Sequence, residues 1–101
     1  MTATYVIRQQ AEQDLEEIWL YSMQQWGVKQ ADSYVGSLLS RFLWLVENPY
    51  SGKHREDIKT GYYCFPEGRH LIFYKLIDTG IDIIGIPHQR MDIVSYFADS
   101  E

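Results

Sequence analysis

From Gln10 the apolar side chains recur every three or four residues: Ala11, Leu15, Ile18, Trp19 and Trp26, with Ser22 in the same row. That period predicts a helix with one buried stripe. Glu12, Asp14, Glu16 and Glu17 crowd its early turns, where the helix dipole favours acids, and Gly27 is a natural C-terminal stop. The period resumes from Val28 to Glu47, predicting burial of Ala31, Tyr34, Val35, Leu38, Phe42, Leu45 and Val46. Asn48-Pro49 ends it, because a residue preceding proline is pushed out of the α region. With only Gly27 between them, the two helices are expected to form an antiparallel hairpin. Trp19, Trp26, Tyr34, Phe42 and Trp44 read as core aromatics at this spacing, except that Trp44 lies beside the stripe and is expected to be partly exposed.

The remaining runs have strand character. Tyr5 to Arg8 is a short β-rich segment before the helices. After a polar loop, Asn48 to Thr60, come three further runs: Gly61 to Phe65, Arg69 to Leu76 and Ile81 to Ile86. Pro66-Glu67-Gly68 and Asp78-Thr79-Gly80 supply the turns between them. The last run holds four isoleucines in six residues, too short for an independent helix and rich in β-branched side chains, so it reads as a buried strand. Pro87 cannot donate to a ladder and marks its end. Ile93 to Phe97 is apolar enough to dock on something, as a final helical turn or an edge strand. The expected fold is one α+β domain over residues 1–101, β-α-α-β-β-β, with the helical hairpin on one face of a small antiparallel sheet. The first strand is expected beside the third or fourth rather than the second.

Composition narrows the function. The chain has 101 residues, 46% hydrophobic and 15% aromatic, enough for a core without disulfides or metal. No run approaches the roughly 18 apolar residues of a membrane span, and the first residues lack a signal pattern, so a cytoplasmic protein with no membrane partner is expected. The formal net charge of −5 disfavours life on bulk nucleic-acid phosphate. Lys53, Arg55, Lys59, Arg69 and Lys75 nevertheless make the middle basic between acidic ends, which fits an acidic partner segment. The single cysteine, Cys64, lies in an apolar run and reads as a small core residue.

Candidate chemistry is sparse. There is no Cys or His spacing for a metal, no glycine-rich phosphate loop and no nucleophile triad, so no cofactor is expected. His54, Arg55, Arg69, His70, His88 and Arg90 remain. A metal-free RNA-cleaving site needs a general base, a general acid and cations around the phosphorane. His88 with Arg69 or Arg55 are the residue types for it, although a histidine at a strand end is more often structural.

The set Ala11-x-x-Asp14-Leu15-x-x-Ile18-Trp19-x-Tyr21, Trp26-Gly27 with Ala31 and Tyr34, and Leu45-x-x-Asn48-Pro49-x-x-Gly52 resembles the ParE toxins of bacterial type II toxin–antitoxin modules. So do Arg55-x-Asp57-Ile58, Gly61-Tyr62, Gly68-x-His70-x-Ile72-x-Tyr74 and the closing Ile86-x-His88-x-Arg90-Met91-Asp92. The resemblance implies the ParE/RelE fold. It also implies a toxin that traps DNA gyrase on cleaved DNA, is not itself an enzyme, and is neutralised by a ParD-like antitoxin. Such an antitoxin has a DNA-binding dimer and a disordered tail that folds on the toxin.

RelE-type relatives instead cleave messenger RNA on the ribosome, often with a catalytic arginine in His-Arg-Leu-x-Tyr. This chain has His70-Leu71-Ile72-Phe73-Tyr74 there, and leucine cannot stabilise a phosphorane; Arg69, two residues away, is expected on the same strand face. Toxicity and target binding are expected on His88, Arg90, Met91, Asp92 and the residues after them. Asp92 also has a structural reading, pairing with Arg90 and capping a final turn. The antitoxin tail is expected along the hairpin and adjoining sheet, touching Trp19, Tyr34, Leu38 and Trp44, with Arg55, Arg69 and Arg90 answering its acids. Two alternatives stand beside the gyrase reading: a RelE-like endonuclease using His88, Arg69 and Arg55, and a non-toxic module that only binds its antitoxin.

Overall fold

A computed structural model describes residues 3–98. The helical period resolves into α1, Gln9–Trp26, and α2, Val28–Glu47. Gly27 alone separates them, at φ 94°, a conformation that strains any side chain. Its N–H closes α1 on the Met23 carbonyl at 2.8 Å, and its own carbonyl opens α2 by accepting from Ala31 at 3.1 Å. One residue therefore ends one helix and begins the next, and the pair folds back as the expected hairpin. Asn48 stops α2 as its side chain turns back to the Trp44 carbonyl at 2.9 Å.

Among the described residues the sheet has five strands: β1 Thr4–Ile7, β2 Lys53–His54, β3 Tyr63–Glu67, β4 His70–Ile77 and β5 Gly80–Gly85, ordered β1-β5-β4-β3-β2. Two details differ from the sequence reading. The segment taken as loop contains β2, because the Tyr74 hydroxyl receives the Gly52 N–H at 3.0 Å and donates to the Pro49 carbonyl at 2.8 Å. That tie lays Lys53 and His54 alongside Cys64 and Tyr63. The sheet is also mixed rather than wholly antiparallel: β2 to β5 alternate as expected, but β1 joins β5, the last of the expected strands, in parallel. No hairpin turn links β1 to β5, so nothing local fixes their relative direction. Arg8, just past β1, reaches Asp82 on β5 at 2.9 Å.

The main core lies between hairpin and sheet: Ala11, Ile18, Leu38, Phe42 and Leu45 meet Tyr63, Ile72, Tyr74, Ile81, Ile83 and Ile86. A smaller cluster occupies the other sheet face, where Tyr62, Cys64, Phe73 and Ile84 are met by Leu71, Ile58, Ile93 and Phe97. The last two belong to α3, Ile93–Ala98, so the apolar tail is helical and docks on the face the hairpin leaves open. Where β5 pairs with β4 the register shifts: Tyr74 faces Ile83 but Phe73 faces Gly85, leaving Ile84 as an extra residue. That bulge reverses the alternation. Ile81 and Ile83 point to the hairpin, Ile84 to the outer face, and Ile86 to the hairpin again.

Candidate functional site: a groove beside the C-terminal segment

The last turns of α1, at Ser22 and Trp26, stand opposite Ile86, Pro87 and His88, the chain beyond β5, and so overhang the strand. Beneath the overhang opens a groove of about 880 Å³. One wall is Ile18, Tyr21, Ser22 and Trp26 of α1 with Tyr34 of α2; the other is the β3–β4 turn, His70, and the chain leaving β5 through Pro87, His88 and Met91. Tyr21 and Trp26 are more than half exposed, pack edge to face at 6.1 Å, and have the Arg69 guanidinium 5.8 Å from the Trp26 ring. The rim is thus aromatic, with Arg69 and Glu17 as its charges, while the nearly buried Asp14 carboxylate and Tyr96 line the groove more deeply.

The floor is a hydrogen-bonded chain. The Arg69 N–H donates to the Tyr34 hydroxyl at 2.9 Å, and that hydroxyl lies 2.7 Å from His70 Nδ1. The imidazole tautomer sets which of the two donates, since a hydroxyl that accepts from Arg69 keeps both a proton and a second lone pair. Burial, then the neighbouring His88, push the His70 pKa down to about 4. Burial likewise raises Tyr34. His88 packs edge to face on His70 at 5.2 Å, in an isolated bridge between the two residues, and its Nδ1 accepts the Arg90 N–H at 3.0 Å. Near pH 7 the floor is uncharged at His70 and suits an apolar ligand face.

The expected site residues divide. Among those assigned to toxicity, Arg90, Met91 and Asp92 are exposed, and Asp92 also caps α3, its carboxylate accepting from the Val94 N–H at 3.1 Å and the Ser95 hydroxyl at 2.9 Å. Among the described residues Asp92 forms no ion pair with Arg90. Residues 99–101, at the end of that segment, lie outside the described residues. Of the expected antitoxin contacts, Tyr34 and Arg69 line the groove. Leu38 does not qualify: at 0% exposure it is core, because its helix position points straight at the sheet. Trp19 is half-buried and donates to Asp32 at 2.8 Å, and Trp44, exposed as expected, packs with Phe65 and Arg41 away from the groove. Arg55 lies on the opposite sheet face, held by Asp57 at 2.9 Å with its guanidinium 5.7 Å from the Phe73 ring.

The nuclease trio His88, Arg69 and Arg55 is therefore split across the sheet. Leu71 packs in the outer cluster, while Arg69 is not on its face as the two-residue spacing predicted. The reason is that β4 starts at His70, so Arg69 is a turn residue and strand alternation does not apply. Cys64 is buried beneath Arg55 and burial raises its thiol, which leaves it packing rather than reacting. Among the described residues, no group of three His, Cys, Asp or Glu side chains is placed to hold a metal, and no helix is long and apolar enough to cross a membrane. Sequence reasoning counted Trp26 as core and missed Tyr21 as a rim residue. The signal available was that both stand in the last turns of a helix longer than its sheet.

A family model described as ParE toxin of type II toxin–antitoxin system, parDE, matches residues 5–93. The chain is 35% identical over 88 residues to Toxin ParE1 of Caulobacter vibrioides, covering 87% of this chain and 91% of that one. It is equally 35% identical over 94 residues to Toxin ParE1 of Mycobacterium tuberculosis, covering 92% and 96%. A chain of the chromosomal ParDE TA system from P. aeruginosa superposes with a TM-score of 0.72 over 86% of this chain and 96% of that one; at 16% identity this likeness speaks for the fold. Matched along nearly its whole length by the family's pattern and by two curated relatives, the chain belongs to the ParE toxins of type II toxin–antitoxin systems.

Proposed function

We propose that this toxin acts in the cytoplasm by binding DNA gyrase and holding it on cleaved DNA, without catalysis of its own, and that a ParD-like antitoxin neutralises it by laying its tail in the groove. The observation that favours a protein target over RNA is the division of the nuclease trio. Arg55 and Leu71 face one side of the sheet while His88 and Arg69 face the other. A phosphorane requires its cations and its base within hydrogen-bond reach of one another. His70, the remaining imidazole of the groove, is committed to Tyr34.

The groove favours an amphipathic helical or extended segment. Its aromatic rim gives such a segment apolar anchors, and Arg69 meets an acid beside them. The exposed side chains of the neighbouring segment, Arg90, Met91 and Val94, form the surface proposed to meet gyrase. Purified toxin incubated with gyrase, ATP and relaxed plasmid, then quenched with detergent, tests the reading. Linear plasmid accumulating with toxin dose supports it. No linear plasmid, together with cut messenger in a ribosome-programmed reaction, contradicts it in favour of an endonuclease; silence in both leaves an antitoxin-binding module.

A further inference from the structure

The segment proposed to act on gyrase leaves β5 at Ile86 and returns to the body at Tyr96, and both ends reach the same side chain. The Ile86 N–H donates to Asp14 Oδ2 at 2.8 Å, and the Tyr96 hydroxyl donates to that same oxygen. Gln10 completes the shell, its Nε2 donating to Oδ1 at 3.0 Å. Asp14 stands on α1 at only 8% exposure. A carboxylate so enclosed is strongly disfavoured unless it keeps its donors, and bonds to a charged acceptor are among the stronger ones.

α3 needs such a tether. It is six residues long with no fully buried side chain, far below the length at which a helix persists on its own. Phe97 fixes its outer side, packing on Phe73 at 4.9 Å and Tyr62 at 5.6 Å. Tyr96 leaves the same helix in the other direction and passes round the sheet end to the hairpin layer. Its ring has room to do so because residue 85 is glycine: a Cβ there would run into the Tyr96 hydroxyl.

We propose that Asp14 and Tyr96 are positioning residues: one buried carboxylate clamps both ends of the segment from Ile86 to Tyr96, and so holds Arg90 and Met91 ready for the target. A segment ordered before binding loses less conformational entropy on association. The clamp itself is independent of what the segment binds; its effect on potency rests on the functional reading above.

The test uses the full chain and four substitutions, Asp14→Ala being the fourth, which removes the carboxylate altogether. Tyr96→Phe removes one hydroxyl and keeps the ring. Gly85→Ala displaces the ring from Asp14 without altering either partner. Asp14→Asn keeps an acceptor without the charge. Amide exchange is followed across residues 86–98, alongside growth arrest on induction in cells. Tyr96→Phe and Gly85→Ala are expected to speed exchange of the segment at least about tenfold while protection in β4 and α2 is unchanged. Growth-arrest potency should fall by a similar factor, with Asp14→Asn milder than Asp14→Ala. A purely structural role would lower global protection and leave potency intact below the unfolding temperature. Unchanged segment exchange in both variants overturns the clamp. Faster exchange with full potency overturns its positioning role. Wild-type protein that arrests nothing overturns the functional reading, while exchange still decides the clamp.

Discussion

His70 sits between Tyr34 and His88 with its Nδ1 occupied, and its pKa of about 4 is set chiefly by burial. An unfolded histidine titrates near 6.5, so between those two values the unfolded chain binds the proton that the native state refuses. Stability attributable to this site is complete above about pH 6.5 and is lost as pH falls toward 4. The ring is partly open to solvent, which reduces the effect to about 1–2 kcal/mol between pH 7 and pH 4.5. Urea denaturation at the two pH values should show wild type losing that much more than His70→Gln; equal losses would mean the floor is not held uncharged. The sequence announced neither this floor nor its partners, since Tyr34, His70 and His88 come from α2, β4 and the chain after β5. It did announce Leu38 and Phe42, whose burial follows from helical period alone. Trp26 has the same period and half its surface in water. Period reports which way a side chain points, not whether anything stands opposite.

At the scale of elements, the hairpin depends on a single residue. Gly27 holds φ 94° with open space where a side chain would lie, so Gly27→Ala would clash with nothing and would strain only the backbone. About 1–2 kcal/mol of stability should be lost by urea denaturation, with the groove still formed. A loss below about 0.5 kcal/mol would mean the helices reach their angle by another route. Helix limits were legible because caps and breakers are local: Gly27 and Asn48-Pro49 lie where the helices end. Strand limits were less so. β3 runs two residues beyond its expected end through Pro66, which β4 pairs on one side. β2 reaches only as far as Cys64 and Tyr63, leaving the other side of Pro66 free of a ladder.

At the scale of the whole molecule, the order of elements was readable and the directions were partly so. Hairpin turns dictated that β3, β4 and β5 alternate, whereas the parallel β1–β5 pair joins residues more than 70 positions apart that no local signal connects. The same separation hid the groove, which exists because a long α1 overhangs a short β5 and α3 wraps to the far face. In consequence the exposed Met91 lies in the groove wall, and a tail seated in the groove would touch it directly. Neutralisation on this account depends on the rim. The measurement that tests it most directly is the amount of detergent-trapped linear plasmid in a gyrase reaction as antitoxin tail is titrated in, for wild type and for Trp26→Ala. With wild type, linear plasmid should vanish near equimolar tail. Trp26→Ala should still trap gyrase but need at least about tenfold more tail, the loss of one aromatic anchor. Equal titrations would remove the groove from neutralisation, and no trapped plasmid with either protein would contradict the gyrase reading itself.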